Sequence, residues 1–81
     1  MKYWLVTLQI TQGESETYDK SVHAAEKFER KDLDAYALDY MAEGEEVEPG
    51  FCEFLCGEVV VKSYGLKQIT KKEYDVLVVV L

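Results

Sequence analysis

Tyr3-Trp4-Leu5-Val6-Thr7-Leu8-Gln9-Ile10-Thr11 is the stretch on which the fold turns. Trp4, Val6, Leu8 and Ile10 fall on one side of an extended chain and mostly polar residues on the other, the period of a half-buried β-strand. Tyr3 and Leu5 make its first half apolar on both faces, which calls for a second covering layer or a partner there. Next to it, Gln12-Gly13-Glu14-Ser15 reads as a hairpin turn in which Gly13 supplies positive φ. A second strand is expected from about Thr17 to Ala25, with Tyr18, Val22 and Ala24 on one side.

Further along, the period changes. Leu33, Tyr36, Ala37, Tyr40 and Met41 recur at spacings of three and four, which predicts a helix over Asp32 to Glu43 with Gly44 as its C-cap. Phe28 is expected to pack as the chain turns from strand into helix, with an earlier helical start over Ser21 to Arg30 as the competing reading. Glu45-Glu46-Val47-Glu48-Pro49-Gly50 reads as a charged loop that Pro49 keeps from continuing the helix. The β-branched run Glu58-Val59-Val60-Val61-Lys62-Ser63-Tyr64 predicts a third strand, with Gly65 marking a bulge or its end. Thr70-Lys71-Lys72-Glu73 matches a capping box, and Tyr74, Leu77, Val78 and Leu81 then share a helical face. The β-branched residues of Val76 to Leu81 make a fourth strand the competing reading.

The order ββαβα in 81 residues predicts one α+β domain over residues 1–81. Its sheet is expected to be three-stranded and antiparallel, ordered 2-1-3, with helices packed on it. Apolar residues make up 48% and aromatics 12%, enough for a core and against intrinsic disorder. The start of the chain lacks a signal-peptide pattern, no apolar run is long enough to span a membrane, and two cysteines make no disulfide framework. A cytoplasmic protein is expected.

Chemical motifs are missing where a catalytic site would need them. The single histidine, His23, has no serine or cysteine in a nucleophile context, so no catalytic residue is assigned. Cys52 and Cys56 are one pair at i and i+4, unlike the repeated close pairs of structural zinc sites. The acidic loop lacks the ligand spacing of a calcium-binding EF-hand, and no glycine-rich phosphate loop is present. No metal or other cofactor is expected.

The least ordinary feature is charge. Sixteen acids against nine bases give a net charge of −7, which discourages binding to phosphate backbones or anionic membranes. Asp32, Asp34, Asp39, Glu43, Glu45, Glu46, Glu48, Glu53 and Glu58 follow one another with no Lys or Arg between Asp32 and Val61. On the expected helix, Asp32, Asp39 and Glu43 form an acidic stripe. Tyr36 and Tyr40 lie among the acids, as aromatics do at an interface with a desolvated centre and a charged rim. The candidate partner-binding residues are therefore Asp32, Asp39, Glu43, Glu45, Glu46, Glu48 and Glu53 with Tyr36 and Tyr40.

In size, acidity and lack of chemistry the chain resembles the small inhibitor proteins of phages and other mobile elements, such as anti-CRISPR proteins and DNA mimics. That resemblance lies in general design and rests on no residue motif. It implies a non-enzymatic inhibitor or adaptor that occupies a basic, nucleic-acid-binding surface of a partner protein. The alternative is a self-associating structural or accessory domain using an apolar outer edge around Tyr3, Leu5 and Val59 to Val61. A small enzyme or metal protein would require His23 to meet Cys52 or Cys56.

Overall fold

The computed structural model describes all 81 residues. The chain runs β1 (Lys2–Gln12), β2 (Ser15–Ala25), α1 (Arg30–Leu38), β3 (Glu45–Glu48), β4 (Phe51–Phe54), β5 (Val59–Ile69) and α2 (Lys71–Val80). β1 and β2 pair in unbroken register from Lys2 opposite Ala25 to Gln12 opposite Ser15. The two residues between them form a tight turn in which only Gly13 has positive φ, +61°, the pattern of a type II′ hairpin. β5 lies antiparallel on the other side of β1, and β4 and β3 follow it, so the sheet order is β2-β1-β5-β4-β3.

This corrects the expected three-stranded sheet, order 2-1-3: the sheet has five strands, and two of them come from the segment read as a charged loop and the residues after it. Pro49 and Gly50, taken as loop signals, are the turn of the β3-β4 hairpin. Gly50 has φ +80°, and a proline followed by a left-handed glycine is the sequence of a type II turn. Glu45 to Glu48 are poor β-formers in isolation. They become a strand because β4 offers them an edge. β4 itself is short, and its alternation of inward Cys52 and Phe54 with outward Phe51 and Glu53 spans too few residues to stand out.

The helix expected over Asp32 to Glu43 is shorter at its C-terminal end. It begins at Arg30 and stops at Leu38, with Asp39 as its C-cap and Glu43 in a left-handed conformation, φ 59°. Gly44 is not a cap. It is glycine because the Phe54 ring fills the space a Cβ would need. At the C-terminus the strand competitor is overturned: residues Lys71–Val80 are helical, with Thr70 Oγ1 accepting the Glu73 amide at 3.1 Å and the Glu73 carboxylate accepting the Thr70 amide. β5 runs past Gly65 to Ile69. Thr7 lies opposite Gly65 and Leu8 opposite Ser63, so Tyr64 is the extra residue of a bulge.

One face of the sheet carries the core. Val6 and Leu8 of β1, Val59 and Val61 of β5, and Cys52 and Phe54 of β4 pack beneath Leu33 and Ala37 of α1. Ser63 donates to Asp34 at 2.7 Å, which ties α1 to β5. The Trp4 indole donates to the Ala25 carbonyl at 3.0 Å and anchors the end of β2. On the opposite face α2 leans on the Tyr3 end, where the Tyr3 and Tyr74 rings sit 4.8 Å apart, and the rest of that face is open. Only 11 of 81 residues are buried, and with α1 on one face and α2 on part of the other the domain has one principal core, beneath α1.

Candidate partner-binding surface

The acid-rich stretch comes together at one edge of the sheet. β3 is the outermost strand, and Glu45, Glu46 and Glu48 are exposed along it, with Val47, also exposed, between them. The segment leading from α1 into β3 adds Asp39 and Glu43, both exposed. Glu53 on β4 lies directly opposite Glu45, whereas Glu58, in the turn between β4 and β5, lies beside Gln12 and Gly13 and away from that edge. None of these seven carboxylates, Asp39, Glu43, Glu45, Glu46, Glu48, Glu53 or Glu58, is within ion-pair distance of a cation. The five ion pairs of the molecule are formed by Glu26, Glu29, Asp34 and Asp75.

Several of these positions are unfavourable for the isolated fold. Glu45 and Glu53 are like charges facing each other across an antiparallel pair, which costs a few tenths of a kcal/mol to about 1 kcal/mol. Asp39 places a negative charge at the C-terminal, negative end of the α1 dipole, with no basic residue in that turn to offset it. Glu46 lies opposite Cys52 on the core side of the edge. Burial pushes the Cys52 thiol above its ordinary value, and the carboxylates of Glu46 and Asp34 add to that.

The remaining sequence candidates divide. Asp32 caps its own helix, its carboxylate accepting the Glu29 amide at 2.8 Å, so it serves α1. The expected stripe of Asp32, Asp39 and Glu43 does not form, because α1 ends before Glu43. Tyr36 points to the other side of the molecule: its hydroxyl lies 3.2 Å from Ser21 Oγ on β2, and its ring meets His23 edge-on at 5.0 Å. Tyr40 stays with the acids, 41% exposed and edge-on to Phe54. Two apolar residues that the sequence reading passed over join it. Val47 is 54% exposed in the middle of β3, and Leu55 is 52% exposed in the neighbouring turn. An apolar residue flanked by three acids was the signal for Val47, hidden by reading the segment as a loop.

The turn that presents Leu55 is strained. Leu55 and Cys56 have φ 54° and 56°, followed by Gly57 at 89°. Two consecutive side-chain-bearing residues in the left-handed region cost roughly 1–2 kcal/mol each. Cys56 is exposed there, whereas Cys52 is buried. His23 sits on β2, separated from β4 and Cys52 by β1 and β5, so the residues that a metal or nucleophile site would need do not meet. The self-association surface expected around Tyr3, Leu5 and Val59 to Val61 is not an edge either, because β1 and β5 are interior strands.

The fold and this surface define a small α+β domain, a five-stranded antiparallel sheet with two helices, with an acidic, partly apolar sheet edge. Comparison with family models, curated proteins and solved structures finds no match to this chain. No helix is long and apolar enough to cross a membrane.

Proposed function

We propose that this chain is a non-enzymatic protein-interaction module, an inhibitor or adaptor, whose β3 edge docks on a basic, nucleic-acid-binding surface of another protein. The observation that carries the reading is the gathering of six carboxylates without a cation, Asp39, Glu43, Glu45, Glu46, Glu48 and Glu53, along and beside one edge. Surface acids held together in this way are relieved by Lys and Arg brought from outside, which speeds encounter and fixes orientation. Val47, Tyr40 and Leu55 supply the apolar contact such a rim surrounds.

The test has two stages. The tagged chain and an E45K/E46K/E48K variant are used side by side to capture proteins from the native host, and proteins held only by the unaltered chain are identified. Association with the purified partner is then followed by stopped flow. Charge reversal is expected to slow association by roughly tenfold or more, and salt between about 0.05 and 0.5 M to slow it steeply, with dissociation less affected. Affinity insensitive to both would falsify the electrostatic reading.

A further inference from the structure

The two edges of the sheet are built differently. β3 has four residues, three of them glutamates, a register shift and a proline at its end, all devices that discourage pairing with another chain. β2 is the opposite edge and has neither the short length, the register shift nor the proline, and its charges, Glu16, Asp19 and Lys20, are of both signs. It is eleven residues long, contains no proline, and holds unbroken register with β1, and Ser15 to Lys20 are exposed without interruption. A long, regular, uncovered edge is a template for another strand.

The side chains on that edge specify which strand. Glu16, Tyr18 and Lys20 share the open face, opposite Thr11, Gln9 and Thr7 of β1. Lys20 has no carboxylate within ion-pair distance, and Glu16 accepts hydrogen bonds from Gln9 and from the Tyr18 hydroxyl but meets no cation. Written against its own reverse, Glu16-Thr17-Tyr18-Asp19-Lys20 is self-complementary. With Tyr18 opposite Tyr18 of a second copy, Glu16 falls opposite Lys20 twice and Thr17 opposite Asp19 twice. A two-fold axis normal to the sheet keeps like faces together, so the register can move only in steps that preserve parity. Of the registers one step to either side, the one centred on Asp19 sets like charges against each other at the axis, and the one centred on Thr17 sets Glu16 opposite Tyr18 and loses both Glu16–Lys20 pairs.

We propose that two copies of this chain pair antiparallel along β2, centred on Tyr18, to form a continuous ten-stranded sheet. Tyr18 is 48% exposed and Tyr64 58%, and their rings already meet edge-on at 4.8 Å, so the axis gathers four tyrosines on the open face. The bulge that makes Tyr64 an extra residue is what places it there. Charge also favours this edge over any other contact. β3 lies four strand spacings from β2, roughly 19 Å, so the dimer carries its acidic edges at its two far ends. This inference does not depend on what the acidic edge binds.

The test is sedimentation equilibrium of the purified chain from about 5 µM to 1 mM in 0.1 M salt, with reductant present to prevent cross-linking through exposed Cys56. A dimer is expected, and no larger species. E16K and K20E are each expected to weaken it by roughly tenfold or more, and the E16K/K20E double swap to restore it to within about threefold of the unaltered chain. Both substituted positions are exposed, and circular dichroism checks that the fold is kept. A monomer throughout the range, growth beyond a dimer, or single variants that weaken pairing with no rescue by the swap each overturn the proposal.

Discussion

His23 shows how one residue's surroundings set its chemistry. Its ring lies between Phe28 at 5.4 Å and Tyr36 at 5.0 Å, with Nε2 2.8 Å from Ser21 Oγ. Burial lowers its pKa below the ordinary 6.5. The unfolded chain therefore takes up a proton at a pH where the folded chain stays neutral. The stability this contributes is complete above about pH 6.5 and is lost as pH falls below it. Its NMR titration midpoint is expected below 6.5, and the denaturant midpoint is expected to drop between pH 7 and 5 more in the unaltered protein than in His23→Gln. At Leu55 the strain is in the backbone. Leu55→Asn places a residue that tolerates left-handed φ at 54°, and is expected to raise stability by about 1 kcal/mol in urea unfolding. A decrease would mean that the Leu55 side chain has packing value that its exposure does not show.

Among the elements, α2 is held more by its cap than by its packing. None of its residues is buried, Val76 and Val78 to Val80 are exposed, and β-branched residues are middling helix formers. Thr70→Ala is expected to cost the helix about 1 kcal/mol. Because so little packing ties α2 to the sheet, the loss is expected as faster hydrogen exchange at Leu77 to Leu81, with the amides of β1 and β5 unchanged. α2 was legible in the sequence because its start is a local device of four residues. β1 and β2 were legible because eleven-residue strands repeat their period often enough to be seen. β3 and β4 were not, because a glutamate strand owes its conformation to the neighbour it pairs with, and Cys52 and Phe54 give only two inward residues. The end of α1 was misread for a similar reason. Tyr40 and Met41 prolong the helical spacing, but the chain must turn toward β3, with Glu43 left-handed and Gly44 against Phe54. The acids of the candidate surface were visible as a run, yet spacing could not show that Asp32 is used by its own cap or that Tyr36 faces β2.

For the whole molecule the question is why carboxylates stand where they weaken the free fold. The net charge is −7, and six acids without cations lie along and beside the β3 edge, while β2 carries two acids and one lysine. Glu45→Lys tests the two effects at once. The introduced ammonium would face Glu53 across the strand pair and turn a repulsion into an attraction, so the free protein is expected to gain about 0.5–1 kcal/mol in denaturant unfolding. On the proposed docking, the same substitution removes one carboxylate from the surface offered to a basic partner, so association is expected to slow. Salt separates these contributions. Screening relieves the repulsion within the edge and would also shield it from the proposed partner, so added salt is expected to stabilise the unaltered chain and to weaken its complex. In Glu45→Lys the gain in stability with salt is expected to shrink, because the repulsion it would screen is largely gone. A variant that is both more stable and slower to bind shows an edge whose charges serve the encounter at the expense of the fold. If the variant gains stability and binds at an unchanged rate, Glu45 does not face the partner, and the docking surface belongs nearer Asp39, Tyr40 and Glu43.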